Sequence, residues 1–225
     1  TVAEKIKNLL DLNNPTIAPY ASLEEVKLRI TTKAKSLSEA KLLIRPIKKE
    51  LYETFSTYIF GEDNESLPTV LIKELIKRNE SIVFAESCTG GLLSSQITSV
   101  AGSSKVFKGS VIAYSNEIKN LILNVPKDLL ENYGAVSEEV AESMATGVKN
   151  KFNSDWAISV SGIAGPSGAS EIKPIGLVFI AITGPNNETL KIKKQYNPLR
   201  NRNEIQRLSV NDCLNSLRLI LLSNK

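Results

Sequence analysis

Histidine is absent from all 225 residues of the sequence. A Ser-His-Asp triad, a Cys-His pair and a histidine-ligated metal are therefore excluded within this chain, because each of them needs an imidazole. Any general base has to be a lysine, a tyrosine, an aspartate or a glutamate. The chemistry that remains open is that of a nucleophile activated by one of these four side chains.

Cysteines and long apolar runs are also scarce. Cys88 and Cys213 are too few for a disulfide framework or a structural zinc site, and we interpret both as reduced thiols of a cytoplasmic protein. The longest apolar stretches, such as 177–182 and 217–222, are much shorter than the ~20 residues that a membrane-spanning helix requires. We therefore expect no membrane partner.

The charge of the chain points to no particular partner. The net charge of +4 comes from lysines and arginines that are scattered among acidic residues, which favours a solvated basic surface over a nucleic-acid interface. The sequence begins at Thr1 without an initiator methionine or a signal-peptide pattern, and we expect further sequence upstream.

The first part of the chain, residues 1–65, predicts a small α+β domain. Residues 25–31 alternate apolar with polar side chains, which is typical of a half-buried strand, and residues 16–21 form a second extended segment. A capped helix follows, and a short strand is predicted at 58–60. The polar segment 61–66 is the best candidate for a linker, and we place the domain boundary after residue 65.

Strands and helices alternate in the second part of the chain, residues 66–225. Short apolar runs predict the strands, and the segments between most of them have helical spacing. The predicted strands are 81–85, 110–114, 156–161, 176–183 and 190–195. This alternation indicates a three-layer α/β/α domain with a mainly parallel or mixed sheet. Ligands of such folds bind at the carboxyl ends of the strands, so the loops there are the first candidates for a site.

The first of these loops, residues 85–91, joins an apolar strand to an amphipathic helix. Ser87 is its candidate nucleophile, since two glycines allow a sharp turn and the unpaired N–H groups of the helix N-terminus could hold an oxyanion. The alternative, which spacing alone favours, is that Ser87 or Thr89 merely caps the helix. Cys88 is a competing nucleophile, but it has neither a histidine nor an obvious cation beside it, and we interpret it as a packing residue.

The second loop follows the strand that ends at Tyr114. Ser115 is positioned to cap the next helix, which puts Lys119 in the first turn, where the positive end of the helix dipole disfavours an ammonium group. Burial would act in the same direction, and a lysine with a depressed pKa could take the proton of a serine. The alternative, which position alone favours, is an ordinary lysine that faces solvent.

Two further segments carry groups that could bind an anion. The glycines of residues 161–168 let main-chain N–H groups approach a phosphate, but the spacing is neither that of a Walker motif nor that of a dinucleotide motif, and a structural turn fits it equally well. Arg200, Arg202 and Arg207 cluster at the start of the last predicted helix, 203–222. One of them could bind a phosphate or a carboxylate, and the alternative is that all three are only solvated.

Four strings, in this order and at this spacing, resemble the C-terminal domain of the CinA (competence/damage-inducible) family over about residues 67–222. They are AESCTGG at 85–91, YSNEIK at 114–119, GAVSEE at 134–139 and SGIAGPSG at 161–168. The strings NPTIAPYA at 14–21 and KLRITTKA at 27–34 resemble the small KH-like middle domain of full-length CinA proteins. KH domains bind nucleic acids, but this segment lacks the two-glycine loop that clamps the backbone, so we expect no nucleic-acid partner.

The resemblance implies an amidase that hydrolyses the carboxamide of nicotinamide mononucleotide to nicotinic acid mononucleotide and ammonia, a step of pyridine nucleotide salvage. The family uses no metal and no cofactor, and its Ser/Lys pair and nearby tyrosine correspond to Ser87, Lys119 and Tyr114. The implied substrate-binding residues are Cys88, Thr89, Gly90, Gly91, Ser161, Gly162, Ala164, Gly165 and Arg202. A homodimer and an upstream molybdopterin-binding-like domain are implied as well.

The chain departs from the family pattern at two places. Ser161 occupies a position often held by threonine, which keeps a hydroxyl group there. The family's Gly-Asp-Arg before the final helix is Arg200, Asn201 and Arg202 in this sequence, so that the arginine is matched and the other two residues are lost. The alternative function is therefore a nucleotide-binding module without useful turnover, and a measurement of ammonia release distinguishes the two.

Overall fold

The computed structural model of the chain, which describes residues 1–223, separates into two units. The first unit is Thr1–Gly61, and the second begins at Glu62. The division falls within the polar segment 61–66, four residues before the boundary that the sequence predicts. No helix among the described residues combines the length and the apolar character that a membrane span requires.

The first unit packs a hairpin and helices around a small apolar core. Its elements are α1 (Val2–Lys5), α2 (Lys7–Leu10), β1 (Thr16–Ala21), β2 (Val26–Thr31) and α3 (Leu37–Phe55). The strands β1 and β2 are antiparallel. The core consists of Ile6, Leu9, Ile17, Leu51 and Phe55. This arrangement agrees with a small KH-like α+β domain.

The strand predicted at 58–60 is wrong. Ser56–Tyr58 is a short 3-10 helix, and the backbone at Ser56 is left-handed, with a φ of 45°. The side chain of Tyr58 is exposed, and none of the strands in residues 1–223 pairs with this segment. Three apolar residues predict a strand only where a neighbouring strand can pair with them.

The second unit is a mixed five-stranded sheet between two layers of helices. Its helices are α4 (Leu67–Arg78), α5 (Leu92–Thr98), α6 (Asn116–Leu123), α7 (Lys127–Tyr133), α8 (Glu138–Phe152) and α9 (Arg202–Ser223). Its strands are β3 (Ile82–Glu86), β4 (Phe107–Ile112), β5 (Trp156–Gly162), β6 (Leu177–Thr183) and β7 (Thr189–Gln195). The order in the sheet is β4-β3-β5-β6-β7, and β3 is parallel to β4 and β5 while the last two pairings are antiparallel.

Alternate residues of β3 face different helical layers. Val83 and Ala85 share a core with Met144 of α8, and α6 and α7 lie against α8. The carboxylate of Glu86 instead accepts hydrogen bonds from α5, which lies with α4 and α9 in the other layer. All five residues of β3 are buried, as expected for a strand that is covered on both faces. The predicted three-layer α/β/α fold is confirmed.

The parallel strands bring three loops to one edge of the sheet. The strands β3, β4 and β5 run in the same direction, so their carboxyl ends lie side by side. Residues 87–91 follow β3, residues 113–115 follow β4, and residues 163–168 follow β5. These are the three loops that carry the predicted site residues.

Candidate active site

Ser87 and Lys119 lie in contact, although 32 residues separate them in the sequence. Ser87 directly follows β3, and its main-chain N–H donates to the carbonyl of Val160 in β5 at 2.9 Å, which fixes the start of the turn. Lys119 lies in the first turns of α6, directly after β4. Its Nζ is 3.2 Å from Oγ of Ser87. A nucleophile and a base within hydrogen-bond reach are the minimum that covalent catalysis by serine requires.

Lys119 is a buried lysine and not a solvent-facing one. Its side chain is only 1% exposed, and this burial lowers the pKa of the amine, because a charged ammonium is poorly solvated there. Nζ donates to the carbonyl oxygens of Ala113, at 2.8 Å, and Tyr114, at 3.4 Å. A neutral amine has two N–H groups and one lone pair. If the two carbonyls take the N–H groups, the lone pair is left for the hydroxyl proton of Ser87.

The cap of α5 is supplied by Glu86 and not by a hydroxyl group. The N-cap residue of α5 is Gly91, which provides no side-chain cap. The carboxylate of Glu86 accepts the N–H groups of Gly91 (3.0 Å), Leu93 (3.1 Å) and Ser94 (2.9 Å). It also accepts the hydroxyl groups of Thr89 (2.7 Å) and Ser94 (2.5 Å). The hydroxyl of Ser87 is therefore not used as a cap and is available to Lys119.

Only some of the N–H groups in the serine turn can bind a ligand. Gly91 donates to Glu86, and Gly90 donates to the carbonyl of Ser87 at 3.2 Å. Among residues 1–223, the main-chain N–H groups of Cys88 and Thr89 donate to no carbonyl or carboxylate oxygen, and the N–H of Cys88 lies against its own thiol. The expected oxyanion site over residues 88–91 is thereby narrowed to these two groups, the first of which directly follows the serine.

The environment of Cys88 disfavours its thiol as a nucleophile. Cys88 is buried, and burial raises the pKa of its thiol to about 12, so that the thiolate form is negligible near neutral pH. Its carbonyl oxygen accepts a hydrogen bond from the side-chain amide of Gln206 in α9 at 2.7 Å. Cys88 therefore contributes packing and a main-chain link to α9, in agreement with its interpretation from the sequence.

Arg202 joins the second loop to the third. Its Nη2 donates to the hydroxyl of Tyr114 at 3.0 Å, and its Nη1 donates to the carbonyl of Gly165 at 2.8 Å. The ring of Tyr114 is 62% exposed. Within the described residues the phenol group has no hydrogen bond to Ser87 or Lys119, and Tyr114 reaches the amine through its main-chain carbonyl.

The predicted site residues at the end of β5 and in the third loop, Ser161, Gly162, Ala164 and Gly165, mainly make contacts that stabilise the fold. Ser161 is buried, and its hydroxyl donates to the carbonyl of Ala135 at 2.6 Å, which ties this loop to the GAVSEE segment. A Cβ atom at Gly162 would lie 2.6 Å from the side chain of Val178, so only glycine fits. Ala164 is buried, and Gly165 has a φ of +75°. The side chains of this loop shape the site and offer it few polar groups.

Two residues that hold the serine turn, Glu86 and Gln206, were not predicted from the sequence. Glu86 was visible as the one charged residue in an otherwise apolar strand, and a buried carboxylate must find donors. Gln206 lies in a helix far along the chain, and no spacing in the sequence links it to Cys88. Residues 1–223 contain no cluster of three or more histidine, cysteine, aspartate or glutamate side chains that could hold a metal ion.

Comparisons with known proteins agree with the motifs. The family model of the CinA C-terminal domain matches residues 64–221, and that of the damage-inducible protein CinA KH domain matches residues 1–61. A CinA-like protein of Prochlorococcus marinus strain MIT 9215 is 66% identical over 100% of this chain and 53% of its own length. Another, from strain MIT 9301, is 64% identical with the same coverage. The chain thus spans about half the length of the relatives that it matches.

Solved structures resemble the second unit in size and fold. The competence/damage inducible protein CihA from Agrobacterium tumefaciens is 35% identical with a TM-score of 0.67, over 73% of this chain and 98% of that protein. A CinA superfamily protein from Klebsiella pneumoniae is 28% identical with a TM-score of 0.66, over 72% of this chain and 99% of its own. With both domain models matched in order, this chain belongs to the CinA family and carries its KH and C-terminal domains.

Proposed function

We propose that the second unit is a nicotinamide-nucleotide amidase, which hydrolyses the carboxamide of nicotinamide mononucleotide to nicotinic acid mononucleotide and ammonia. The observation that carries the proposal is the buried contact of 3.2 Å between Nζ of Lys119 and Oγ of Ser87. Family membership supports the choice of substrate, and the chain's lack of histidine fits a Ser/Lys mechanism.

Acylation uses the neutral form of Lys119. The amine takes the hydroxyl proton of Ser87, and Oγ attacks the carboxamide carbon to form a tetrahedral intermediate. The negative charge on the former carbonyl oxygen is stabilised by the main-chain N–H groups of Cys88 and Thr89, which donate to no other oxygen. The ammonium of Lys119 then returns its proton to the amide nitrogen, the C–N bond breaks, and ammonia leaves behind a nicotinoyl ester of Ser87.

Deacylation repeats the same proton transfers with water. Lys119, neutral again, takes a proton from a water molecule, and the resulting hydroxide attacks the ester carbon. The ester bond breaks, the proton on Lys119 passes to Oγ of Ser87, and nicotinic acid mononucleotide is released. The atoms and protons of both steps balance without a redox step or a metal ion.

The nucleotide part of the substrate is assigned to Arg202 and the third loop. Two of the guanidinium N–H groups are used by Tyr114 and Gly165, and a guanidinium carries five. The remaining N–H groups of Arg202, with main-chain N–H groups within residues 162–168, are proposed to hold the 5′-phosphate. Ile163 and Pro166 do not contribute, because the N–H of Ile163 donates to the carbonyl of Leu177 and proline has no N–H. Tyr114, whose hydroxyl accepts a hydrogen bond from Arg202, is proposed to orient the proton transfer through its main-chain carbonyl, which accepts Nζ of Lys119. A homodimer is part of the same proposal, and light scattering on the purified chain measures it.

The test is ammonia release from nicotinamide mononucleotide, with nicotinic acid mononucleotide measured in parallel. We expect turnover by the wild type and none by Ser87→Ala. Ser154→Ala is a matched control, because Ser154 is also buried but bonds to Ser81 at the opposite end of β3; it should retain turnover. If the wild type binds the nucleotide and releases no ammonia, the chain is instead the nucleotide-binding module.

A further inference from the structure

Glu86 is hydrogen-bonded both to the turn that carries Ser87 and to the segment that holds Lys119. Its side chain is wholly buried and accepts five hydrogen bonds from the serine turn and the start of α5. Its main-chain carbonyl accepts the N–H of Ala113 at 2.8 Å. The carbonyl of Ala113 in turn accepts Nζ of Lys119 at 2.8 Å. One residue therefore connects the turn that carries the nucleophile with the carbonyl that holds the base.

The contribution of Glu86 is geometric and not protonic. Within residues 1–223 its carboxylate has no hydrogen bond to Ser87 or to Lys119, and all its acceptor capacity is taken by the five donors. Burial, and not this carboxylate, lowers the pKa of Lys119. Removal of the negative charge should therefore leave the protonation of the base unchanged.

We propose that Glu86 is a positioning residue of the amidase. Its carboxylate fixes the turn of residues 87–91. Oγ of Ser87 is thereby kept within hydrogen-bond distance of Nζ of Lys119, and the N–H groups of Cys88 and Thr89 remain available to the oxyanion. The inference rests on the proposed function in one respect, the role of Ser87 as the nucleophile.

The substitution Glu86→Gln removes the negative charge and half of the acceptors at nearly constant volume. One carboxylate oxygen accepts three donors, from Thr89, Gly91 and Leu93, and the other accepts both donors of Ser94. A glutamine must place an NH₂ group against one of these sets, so at least two buried donors lose their acceptor. The turn then relaxes, and a displacement of about 1 Å at a reacting atom can lower a rate by about 10²-fold.

The experiment measures the reactivity of Ser87 without relying on the substrate. A fluorophosphonate forms a bond between phosphorus and Oγ of the serine, fluoride leaves, and the hydroxyl proton passes to the amine. The second-order rate constant of labelling at Ser87 is followed by intact-protein mass spectrometry, and each rate is normalised to the folded fraction from circular dichroism. Three variants are compared with the wild type: Glu86→Gln, Ser94→Ala and Asp155→Asn.

Asp155→Asn is the matched control. The Asp155 carboxylate also accepts a main-chain N–H and a hydroxyl, both from Ser81 at 2.7 Å, but it does so at the opposite end of β3. We expect the wild-type rate for Asp155→Asn and a loss of about 10²-fold for Glu86→Gln. Ser94→Ala, which removes one of the five donors, should fall between them. The pH at which labelling declines on the acidic side should be the same in Glu86→Gln and the wild type.

Several outcomes would overturn the proposal. The first is a wild-type labelling rate in folded Glu86→Gln or in Ser94→Ala, and the second is a loss in Asp155→Asn that equals the loss in Glu86→Gln. The proposal also fails if the pH at which labelling declines on the acidic side is shifted in Glu86→Gln, or if the wild-type protein is not labelled at Ser87. Because Ser94→Ala removes only one hydroxyl, it keeps the test decisive even if Glu86→Gln does not fold. A wild type that is labelled at Ser87 but releases no ammonia from nicotinamide mononucleotide contradicts the proposed substrate and leaves the role of Glu86 standing.

Discussion

Replacement of Lys119 by arginine separates a general base from a simple positive charge. The substitution keeps the charge and most of the length, but arginine remains protonated at any accessible pH and cannot take the proton of Ser87. Lys119→Met is the companion variant, since it keeps the length and removes both the charge and the base. A base role predicts that the two variants fail equally, whereas an electrostatic role predicts that only the methionine variant fails.

The size of the effect follows from the position of Lys119. Its amine is 3.2 Å from the nucleophile and is almost completely enclosed, and among the described residues no carboxylate or second amine is hydrogen-bonded to Oγ of Ser87. Loss of one acid–base group lowers kcat by about 10² to 10⁴-fold. We expect both variants to fall in that range, with smaller changes in KM, because the base acts on the transition state and not on ground-state binding.

The assay is the pH dependence of kcat/KM for ammonia release. Burial lowers the pKa of Lys119 from its usual value of 10.5, so activity should rise with pH through that lowered pKa as the amine becomes neutral. The unfolded chain binds this proton more tightly than the folded one. The free energy of unfolding of the wild type, relative to Lys119→Met, should therefore increase with pH between the lowered pKa and 10.5.

A near-wild-type kcat in Lys119→Arg would refute the assignment of the base. Lys149→Arg is the control for a buried lysine, because Lys149 is also buried but donates to Asn187 at 2.8 Å in a different part of the second unit. That variant should retain the wild-type kcat. An equal loss in both arginine variants would show that the effect comes from overpacking of the fold.

Three further predictions concern the thiol of Cys88, the close contact between Gly147 and Leu123, and the carboxylate of Asp155. Cys88→Ala should keep most of its ammonia release, since the thiol is protonated; its inactivation, together with active Ser87→Ala, would transfer the nucleophile to the thiol. Gly147→Ala should lower the melting temperature, although alanine favours helices, because its Cβ would lie 2.0 Å from the carbonyl oxygen of Leu123; an unchanged melting temperature contradicts this packing. Asp155 is desolvated by partial burial, yet its hydrogen bonds with Ser81 lower its pKa below 3.8; its stabilising effect relative to Asp155→Asn should be present at pH 7 and vanish below that lowered pKa.

The sequence predicts the elements best where a cap and a periodic pattern coincide. Helix α6 begins where expected, since Ser115 caps its first turn, and it ends before Asn124, which adopts the left-handed conformation. Helix α7 (Lys127–Tyr133) is absent from the prediction, because no side chain caps its start and the sequence therefore gives no signal where it begins. Local patterns therefore give most of the second unit and miss one of its two seven-residue α-helices.

The site depends on distances that local patterns do not contain. From the sequence alone, Ser87 could be a nucleophile or a helix cap, and Lys119 could be a base or a solvent-facing lysine. Only the parallel pairing of β3 with β4 brings the two side chains into contact. The motifs that resemble the CinA family implied a Ser87/Lys119 pair, but they did not give the order of the strands. The use of Glu86 as the cap of α5 could not be read from spacing, because a carboxylate seven residues before Leu93 reaches it only through the turn.

The burial of the sulfur atoms has a consequence for oxidative damage. All the sulfur in the sequence belongs to Cys88, Cys213 and Met144, and all three side chains are buried. Burial also raises the pKa of both thiols, and peroxides attack exposed thiolates far faster than enclosed thiols. The proposed reaction relies on one hydroxyl and one amine, neither of which peroxide readily oxidises. We expect ammonia release to continue at peroxide concentrations that inactivate hydrolases with a catalytic cysteine.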